Sequence, residues 1–200
     1  MKKLNFMPLV LVLTILALGM QSCKTENQIK EVSAEEESYS PFVDTSGKIS
    51  LPQDHIRENW EFLGSWVVPE LADGSKTPGY GFHDVLASPG TAKAYRATGK
   101  FADGSVLVKE IRSIKNSSLT TGPKVLSADE ELVWFVMIKD QEGKFKDNPN
   151  WGDGWGWALF TREDKGNNSS KDYKADCVGC HIPAKATDWV YIDGYPTLKK

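Results

Sequence analysis

The chain has 200 residues, of which 40% are hydrophobic and 10% are aromatic. This composition suits one globular domain with a substantial core. The 24 Lys and Arg residues are scattered among 27 Asp and Glu residues, which gives a formal net charge of −3. A chain without a basic block is not expected to bind nucleic acid.

Residues 1–22 predict a signal peptide, because a short positive region precedes the apolar run FMPLVLVLTILALGM. That run is short for a membrane span and is interrupted by Pro8. Cys23 stands where the signal ends and resembles a bacterial lipoprotein site, at which the cysteine carries lipid. Met20 and Gln21 depart from the residues usual before such a cysteine, and ordinary secretion is the alternative. We expect an exported, periplasmic protein in both cases, with a lipid anchor to a membrane in the first.

Residues 23–46 are polar and charged and contain few apolar side chains. Such a composition predicts a flexible tether. Residues 47–200 show the pattern of a globular domain.

This domain predicts an α+β fold, an antiparallel sheet of about five strands with flanking helices. In chain order the pattern gives a short helix after Pro52, strands in EFLGSWVV and GYGFHDVLA, a helix in SPGTAKAYRATGK, strands in SVLVKEIRSI and ELVWFVMIKD, a strand at the end of NPNWGDGWGWALFT, and a helix from about Lys174. The longer helix is expected to have Ser88 as N-cap, Pro89 at its first position and Gly99 as C-cap. The segment NSSLTTGPKVLSADE predicts a long loop.

The C-terminal helix is predicted to carry the motif C-x-x-C-H, formed by Cys177, Cys180 and His181. A zinc site needs four ligands, usually as two spaced pairs, and His55 and His83 would have to complete it. A thiol–disulfide enzyme carries its C-x-x-C early, in a βαβ unit. In c-type haem attachment, each cysteine forms a thioether with a vinyl group and the histidine binds the iron. Because export is expected, we favour one covalent haem c, with zinc and thiol–disulfide exchange as alternatives.

The other axial position of the iron has no obvious protein ligand. No Met or His follows His181, and outside the signal peptide the sequence has one methionine, Met137, within an apolar strand. Core packing is the expected role of Met137, and His55 and His83 are expected at the surface or at strand edges. We therefore expect a five-coordinate iron that is open to a small molecule.

Three stretches, ASPGTAKAYRATGKFADGSVLVKEI, DCVGCH and AKATDWVYIDGYPTL, carry a family resemblance. Through them residues 48–198 resemble the cytochrome P-460 family, which includes cytochrome c′-beta. The resemblance implies an antiparallel sheet with flanking helices, a C-terminal haem-attachment helix and a homodimer.

The resemblance also gives a role to Lys109. In the cytochromes P-460 the lysine of V-K-E is linked to a meso carbon of the porphyrin, and Lys109 is that lysine here. A lysine can form such a bond only while its amine is neutral, which a dry pocket favours. Lys109 is therefore a candidate haem cross-link, with an exposed strand-edge lysine as the alternative.

The distal side of the haem is where this sequence departs from part of the family. Hydroxylamine-oxidising members carry a carboxylate above the iron, in the strand that ends in K-D. Counting back from Lys139 and Asp140 places Phe135 at that position. Strand alternation would put Phe135 and Met137 on the haem side. A phenylalanine gives a dry face without a proton acceptor, as in the nitric-oxide-binding relatives.

Further residues are candidates for the surroundings of the haem. Glu110 and Glu131 could replace the missing carboxylate, although Glu110 should point opposite to Lys109. Aromatic side chains could wall the pocket or pack in the core, and basic ones could meet the propionates: Trp151, Trp155, Trp157, Arg96 and Lys185.

The sequence thus predicts an exported monohaem c-type cytochrome that binds a small nitrogen ligand such as nitric oxide. A hydroxylamine-oxidising enzyme with a Lys109–haem bond, passing electrons to a periplasmic cytochrome, is the first alternative. A periplasmic electron carrier with a protein ligand at the sixth position is the second.

Overall fold

The computed structural model describes residues 40–53 and 55–199. The predicted signal peptide, Cys23 and most of the predicted tether lie outside the described residues. Within the described part, no helix has the length and apolar character needed to cross a lipid bilayer.

Six strands form one sheet: β1 (Glu61–Val68), β2 (Gly81–Ala87), β3 (Val106–Leu119), β4 (Gly122–Lys139), β5 (Trp151–Gly152) and β6 (Trp155–Thr161). Their spatial order is β1-β2-β3-β4-β6-β5, and every neighbouring pair is antiparallel. The predicted α+β fold with an antiparallel sheet is therefore confirmed.

The helices are short: α1 (Ile56–Asn59), α2 (Thr91–Thr98), α3 (Tyr173–Asp176), α4 (Val178–His181), and three 3₁₀ helices at Ile182–Thr187, Ile192–Gly194 and Pro196–Leu198. The C-x-x-C-H motif begins at Cys177, which joins α3 to α4, and continues through all of α4, so the predicted C-terminal helix exists as two short helices.

The predicted start of α2 is wrong. The helix begins at Thr91, so Ser88 is not its N-cap and Pro89 is not at its first position. Ser88 is instead bound to β3, because its hydroxyl accepts from the Val106 N–H at 3.0 Å and its own N–H donates to the Val106 carbonyl at 2.8 Å. The predicted end is confirmed, since Gly99 follows the helix in the left-handed conformation with φ 74°.

The predicted loop NSSLTTGPKVLSADE is also wrong, because it forms the far end of the β3–β4 hairpin. Pairing continues until Leu119 lies opposite Gly122, and the Ser117 and Ser127 hydroxyls lie 3.1 Å apart across the strands. Neither β2 nor β6 pairs with this end, so it extends beyond the sheet as a two-stranded arm. Leu119 and Leu126 are 53% and 46% exposed. An arm without a core shows none of the apolar alternation by which a strand is recognised.

Alternation along the strands gives the sheet two differently covered faces. The first face is covered by α2 and the C-terminal segment, and its core contains Val85, Leu107, Met137, Trp155, Trp157, Trp189, Val190 and Tyr195. The second face is covered by the beginning of the described chain, and its core contains Val43, Ile49, Leu51, Ile56, Val108, Trp134, Val136 and Phe160.

The chain is packed against the rest of the fold from close to the first described residue. Val43 forms a β-bridge with Ile49, and the Trp151 indole N–H donates to the Gly47 carbonyl at 2.7 Å. The folded unit thus includes residues of the predicted 23–46 tether.

Candidate haem-binding site

A cavity of about 210 Å³ lies on the first face, between the sheet and the C-terminal helices. Its lining includes Lys109, Phe135, Met137 and Trp157 from the sheet, and Cys177, Cys180, His181, Tyr191 and Tyr195 from the C-terminal segment. A larger cleft of about 550 Å³ around Asp140 and Asp153 contains none of the motif residues. The chemistry of the lining, rather than volume, therefore identifies the candidate site.

The two cysteines of the motif lie about one helical turn apart. Asp172 caps α3 by accepting from the Lys174 N–H at 2.9 Å, and the chain turns at Cys177 into α4. The Cys180 N–H points back to the Cys177 carbonyl at 3.3 Å. Both side chains line the same cavity, with Cys177 half-buried and Cys180 exposed. This spacing suits attachment of one planar group at two points.

The alternative chemistries of the motif fit this site less well. Burial raises the pKa of the Cys177 thiol to about 11, whereas a thiol–disulfide enzyme needs a lowered pKa to form the reactive thiolate. Zinc needs several ligands around one point, and no group of three or more His, Cys, Asp or Glu side chains within the described ranges is placed to hold a metal ion. The site therefore favours haem over both alternatives.

His181 is oriented for ligation by its main-chain partner. Its Nδ1 lies 2.7 Å from the Trp189 carbonyl, so Nδ1 carries the proton and donates, which leaves the Nε2 lone pair for a metal. Its ring meets the edge of the Trp157 ring, with centroids 5.0 Å apart and planes at 78°. Burial lowers the pKa of His181; the hydrogen bond to the Trp189 carbonyl opposes this, and the charge on Lys109 adds to the lowering. The imidazole is therefore neutral at neutral pH, as an iron ligand must be.

Lys109 points into the cavity rather than lying at a strand edge. It is opposite Phe135 in the β3–β4 register and opposite Val85 in the β2–β3 register. Its Nζ lies 5.5 Å from the centre of the Phe135 ring and 5.6 Å from that of the Trp66 ring. Burial lowers the pKa of Lys109, although the nearby Cys180 thiol opposes this. A lowered pKa increases the fraction of neutral, nucleophilic amine.

Phe135 lies on the cavity side of the sheet, on the same face as Met137 and Lys109. Met137 is buried and belongs to the core of the first face. It also lines the cavity, so it combines core packing with proximity to the site.

One carboxylate lines the cavity within the described chain, that of Asp176. It accepts hydrogen bonds from the Lys171 and Asp172 N–H groups and from the Ser170 hydroxyl. These bonds hold the pKa of Asp176 below its usual range. A carboxylate stabilised in its ionised form by three donors is a weak proton acceptor.

The two carboxylates considered as substitutes do not reach this cavity. Glu110 is 2% exposed and belongs to the other side of the strand, where it forms an ion pair with Arg57. Glu131 pairs with Lys165 at 2.8 Å. The expectation that Glu110 points away from Lys109 is confirmed.

The two remaining histidines differ in environment. His55 is exposed and pairs with Glu58 at 3.0 Å. His83 was expected at a surface or strand edge, and this is wrong, because β2 is an interior strand and His83 is 3% exposed. Its Nε2 lies 2.7 Å from the Gly79 carbonyl, and its ring stacks on Trp66 at 5.2 Å. Burial lowers the pKa of His83.

The three tryptophans of NWGDGWGW have different environments in the fold. Trp157 lines the cavity, Trp155 packs in the core of the first face, and Trp151 packs in that of the second.

The basic residues considered for the propionates are engaged near the C-terminus. Arg96 donates to the Thr197 carbonyl at 2.5 Å, and the Lys185 ammonium lies 5.2 Å from the centre of the Trp189 ring.

The residues that hold His181 on its Nδ1 side were not identified from the sequence. Lys139, Asp188 and Trp189 meet there, although Lys139 is far away in sequence. A lysine in the apolar strand ending in K-D is the one signal that could have pointed to a buried lysine with an acidic partner.

The donor set fits haem c. Two thiols and an imidazole with a free Nε2 converge on a cavity whose other walls are mostly aromatic and aliphatic. An α+β fold with this site defines a c-type haem protein. The family comparison agrees, because the model described as Cytochrome P460 matches residues 56–192. The chain belongs to the cytochrome P-460 family. No match was found among the curated proteins.

Proposed function

We propose that the protein is an exported monohaem c-type cytochrome that binds a small nitrogen ligand, nitric oxide, at a five-coordinate iron. One haem would be attached through Cys177 and Cys180, with His181 as the axial ligand. The observation that carries this proposal is Phe135, which lies beside Lys109 in a cavity whose described lining contains one carboxylate, that of Asp176, already holding three hydrogen bonds.

Bound haem would supply an iron with one free coordination position, which suits a small diatomic ligand. The protein side chains would orient this iron and limit access to it. His181 offers Nε2 because its Nδ1 is held by the Trp189 carbonyl. Phe135 and Met137 present apolar surface and exclude water. The one carboxylate in the described lining of the cavity, that of Asp176, accepts three hydrogen bonds at Oδ2, so it is a weak proton acceptor for a bound substrate.

Hydroxylamine oxidation is the second candidate, and Lys109 favours it. The burial of Lys109 lowers its pKa, so the amine is more often in the neutral form that can bond to a porphyrin carbon. We propose Lys109 as a candidate haem cross-link. Oxidation would deliver electrons to a periplasmic cytochrome, and it ranks second because Phe135 stands where a proton acceptor is expected.

An electron carrier is the third candidate, with Met137 as the sixth ligand. Met137 lines the cavity, but it would have to leave the core in which it packs.

The proposed location is the periplasm, with lipid on Cys23 holding the protein to a membrane. The support is the predicted signal peptide and the cysteine that follows it. The proposed homodimer has the family resemblance as its support.

The test is an optical spectrum of the dithionite-reduced holoprotein together with a mass map of its tryptic peptides. We expect a five-coordinate ferrous spectrum and haem on the peptide that contains Cys177 and Cys180. A variant with both cysteines changed to Ala is the control and should lose attached haem. A six-coordinate low-spin spectrum would overturn the proposal in favour of the carrier.

Ligand assays on the same sample separate the first two candidates. Nitric oxide binding without hydroxylamine turnover supports the first function. Steady hydroxylamine consumption with an artificial electron acceptor, and haem also on the Lys109 peptide, would select the second.

A further inference from the structure

On the Nδ1 side of His181 the chain contains two consecutive non-glycine residues in the left-handed conformation. Asp188 has φ 59° and Trp189 has φ 64°. L-residues seldom adopt this conformation, and for a bulky side chain such as Trp it is an outlier. Backbone of this kind persists only where the surrounding structure holds it. The carbonyl that accepts from His181 Nδ1 belongs to Trp189, so this strained pair sets where the acceptor lies.

An ion pair between a buried lysine and a half-buried aspartate holds the first of these residues against the end of the sheet. Lys139 is 4% exposed, and its Nζ donates to Asp188 Oδ1 at 2.8 Å. Trp155 lies opposite Lys139 in the β4–β6 register. The Trp155 indole N–H donates to the Asp188 carbonyl at 3.0 Å, and the Lys139 ammonium lies 4.7 Å from the centre of the Trp155 ring. Both the side chain and the main chain of Asp188 are therefore fixed.

The second left-handed residue is held from the other side. The Trp189 N–H donates to the Ala184 carbonyl at 2.9 Å, and the Trp189 side chain packs in the core of the first face. A continuous series of contacts thus runs from the sheet end through Lys139, Asp188 and the Trp189 carbonyl to His181.

We propose that Lys139 and Asp188 are positioning residues for the proximal histidine, and that their ion pair tunes the reduction potential of the iron. This inference rests on the proposed role of His181 as the axial ligand. A firmly held acceptor strengthens donation from Nδ1–H, which makes the imidazole more basic. A more basic ligand stabilises the oxidised iron and lowers the reduction potential. Loosening the ion pair weakens this bond and raises the potential.

The experiment compares the reduction potentials of haem-loaded Lys139→Met and Asp188→Asn with that of the wild type. Asn tolerates the left-handed conformation, so Asp188→Asn removes the charge with little demand on the backbone. The two substitutions change the local charge in opposite directions. A purely electrostatic effect would lower the potential in Lys139→Met and raise it in Asp188→Asn. A positioning role raises it in both.

The chain offers a matched control on the second face. Lys165 pairs with Glu131 at 2.8 Å and lies 4.3 Å from the centre of the Trp134 ring, so it makes the same two kinds of contact as Lys139 in a more exposed position. Lys165→Met is expected to leave the reduction potential unchanged.

A second measurement reports on the iron–histidine bond itself, and it can be made even if Lys139→Met does not fold. The iron–histidine stretching frequency of the ferrous protein, measured by resonance Raman, should fall in Asp188→Asn because the imidazole becomes a weaker donor. Opposite potential shifts in the two variants, or an unchanged stretching frequency in Asp188→Asn, would overturn the inference. Failure of the proposed function is a different result, since the wild type would then carry no haem or show no iron–histidine band.

Discussion

Replacing Trp157 with Phe should destabilise the domain by about 2 kcal/mol. Trp157 is 2% exposed, and its indole N–H donates to the Gly152 carbonyl at 3.1 Å. Its ring meets His181 at 5.0 Å and stacks on Tyr173 at 6.0 Å. Phe keeps an aromatic ring, but it removes the donor and part of the packed volume. The lost hydrogen bond costs about 1 kcal/mol, and the lost packing costs about 1 kcal/mol more, as for other small core truncations.

The measurement is urea and thermal unfolding of the haem-free protein at neutral pH. For a domain of this size, the expected loss lowers Tm by roughly 4–8 °C. Trp60→Phe is the control, because Trp60 is half-buried at the margin of the second core, and its loss should stay below about 1 kcal/mol. A loss below about 0.5 kcal/mol for Trp157→Phe, or one no larger than the loss for Trp60→Phe, would refute the reasoning.

Three further results are expected. Burial lowers the pKa values of His83 and His181 from the ordinary 6.5, so below pH 6.5 the unfolded chain takes up protons first. The haem-free protein should therefore lose stability as pH falls through this range, and His83→Gln should reduce the loss; equal urea midpoints at pH 7.5 and 5.5 would contradict this. Lys109→Arg should abolish any haem on the Lys109 peptide while leaving haem attached at the motif, which peptide mass mapping checks. Phe135→Glu should introduce a base and raise hydroxylamine turnover by about 100-fold or more over the wild type, and unchanged steady-state rates would argue against the role assigned to Phe135.

The features that sequence could predict are local or periodic. The motif spacing places both cysteines and the histidine on one short stretch of chain, and the period of two along a strand places Phe135 and Met137 on one face. Lys109 then joins that face because the antiparallel register sets it opposite Phe135.

The features that sequence could not predict depend on long-range neighbours. The burial of His83 follows from pairing on both sides of β2, which no single strand reveals. Ser88 has the local sequence features of an N-cap, but its hydroxyl accepts a hydrogen bond from the Val106 N–H of β3 instead. The Lys139–Asp188 contact joins residues 49 positions apart, and the left-handed conformation of Trp189 contradicts the local preference of its side chain.

The order of the strands has a consequence for how the protein matures. Strands β2, β3 and β4 each pair with the strand that precedes them in the chain, so β1 to β4 form a meander. Its contacts join segments that are close in sequence and can form before the rest of the chain folds. The segment with Cys177 and Cys180 comes after all six strands. We expect the sheet to assemble before this segment docks, which leaves both thiols accessible to the haem-attachment machinery until the last step. Pulse-labelled hydrogen exchange during refolding should accordingly protect β2 to β4 before the C-terminal helices, and simultaneous protection would contradict this order.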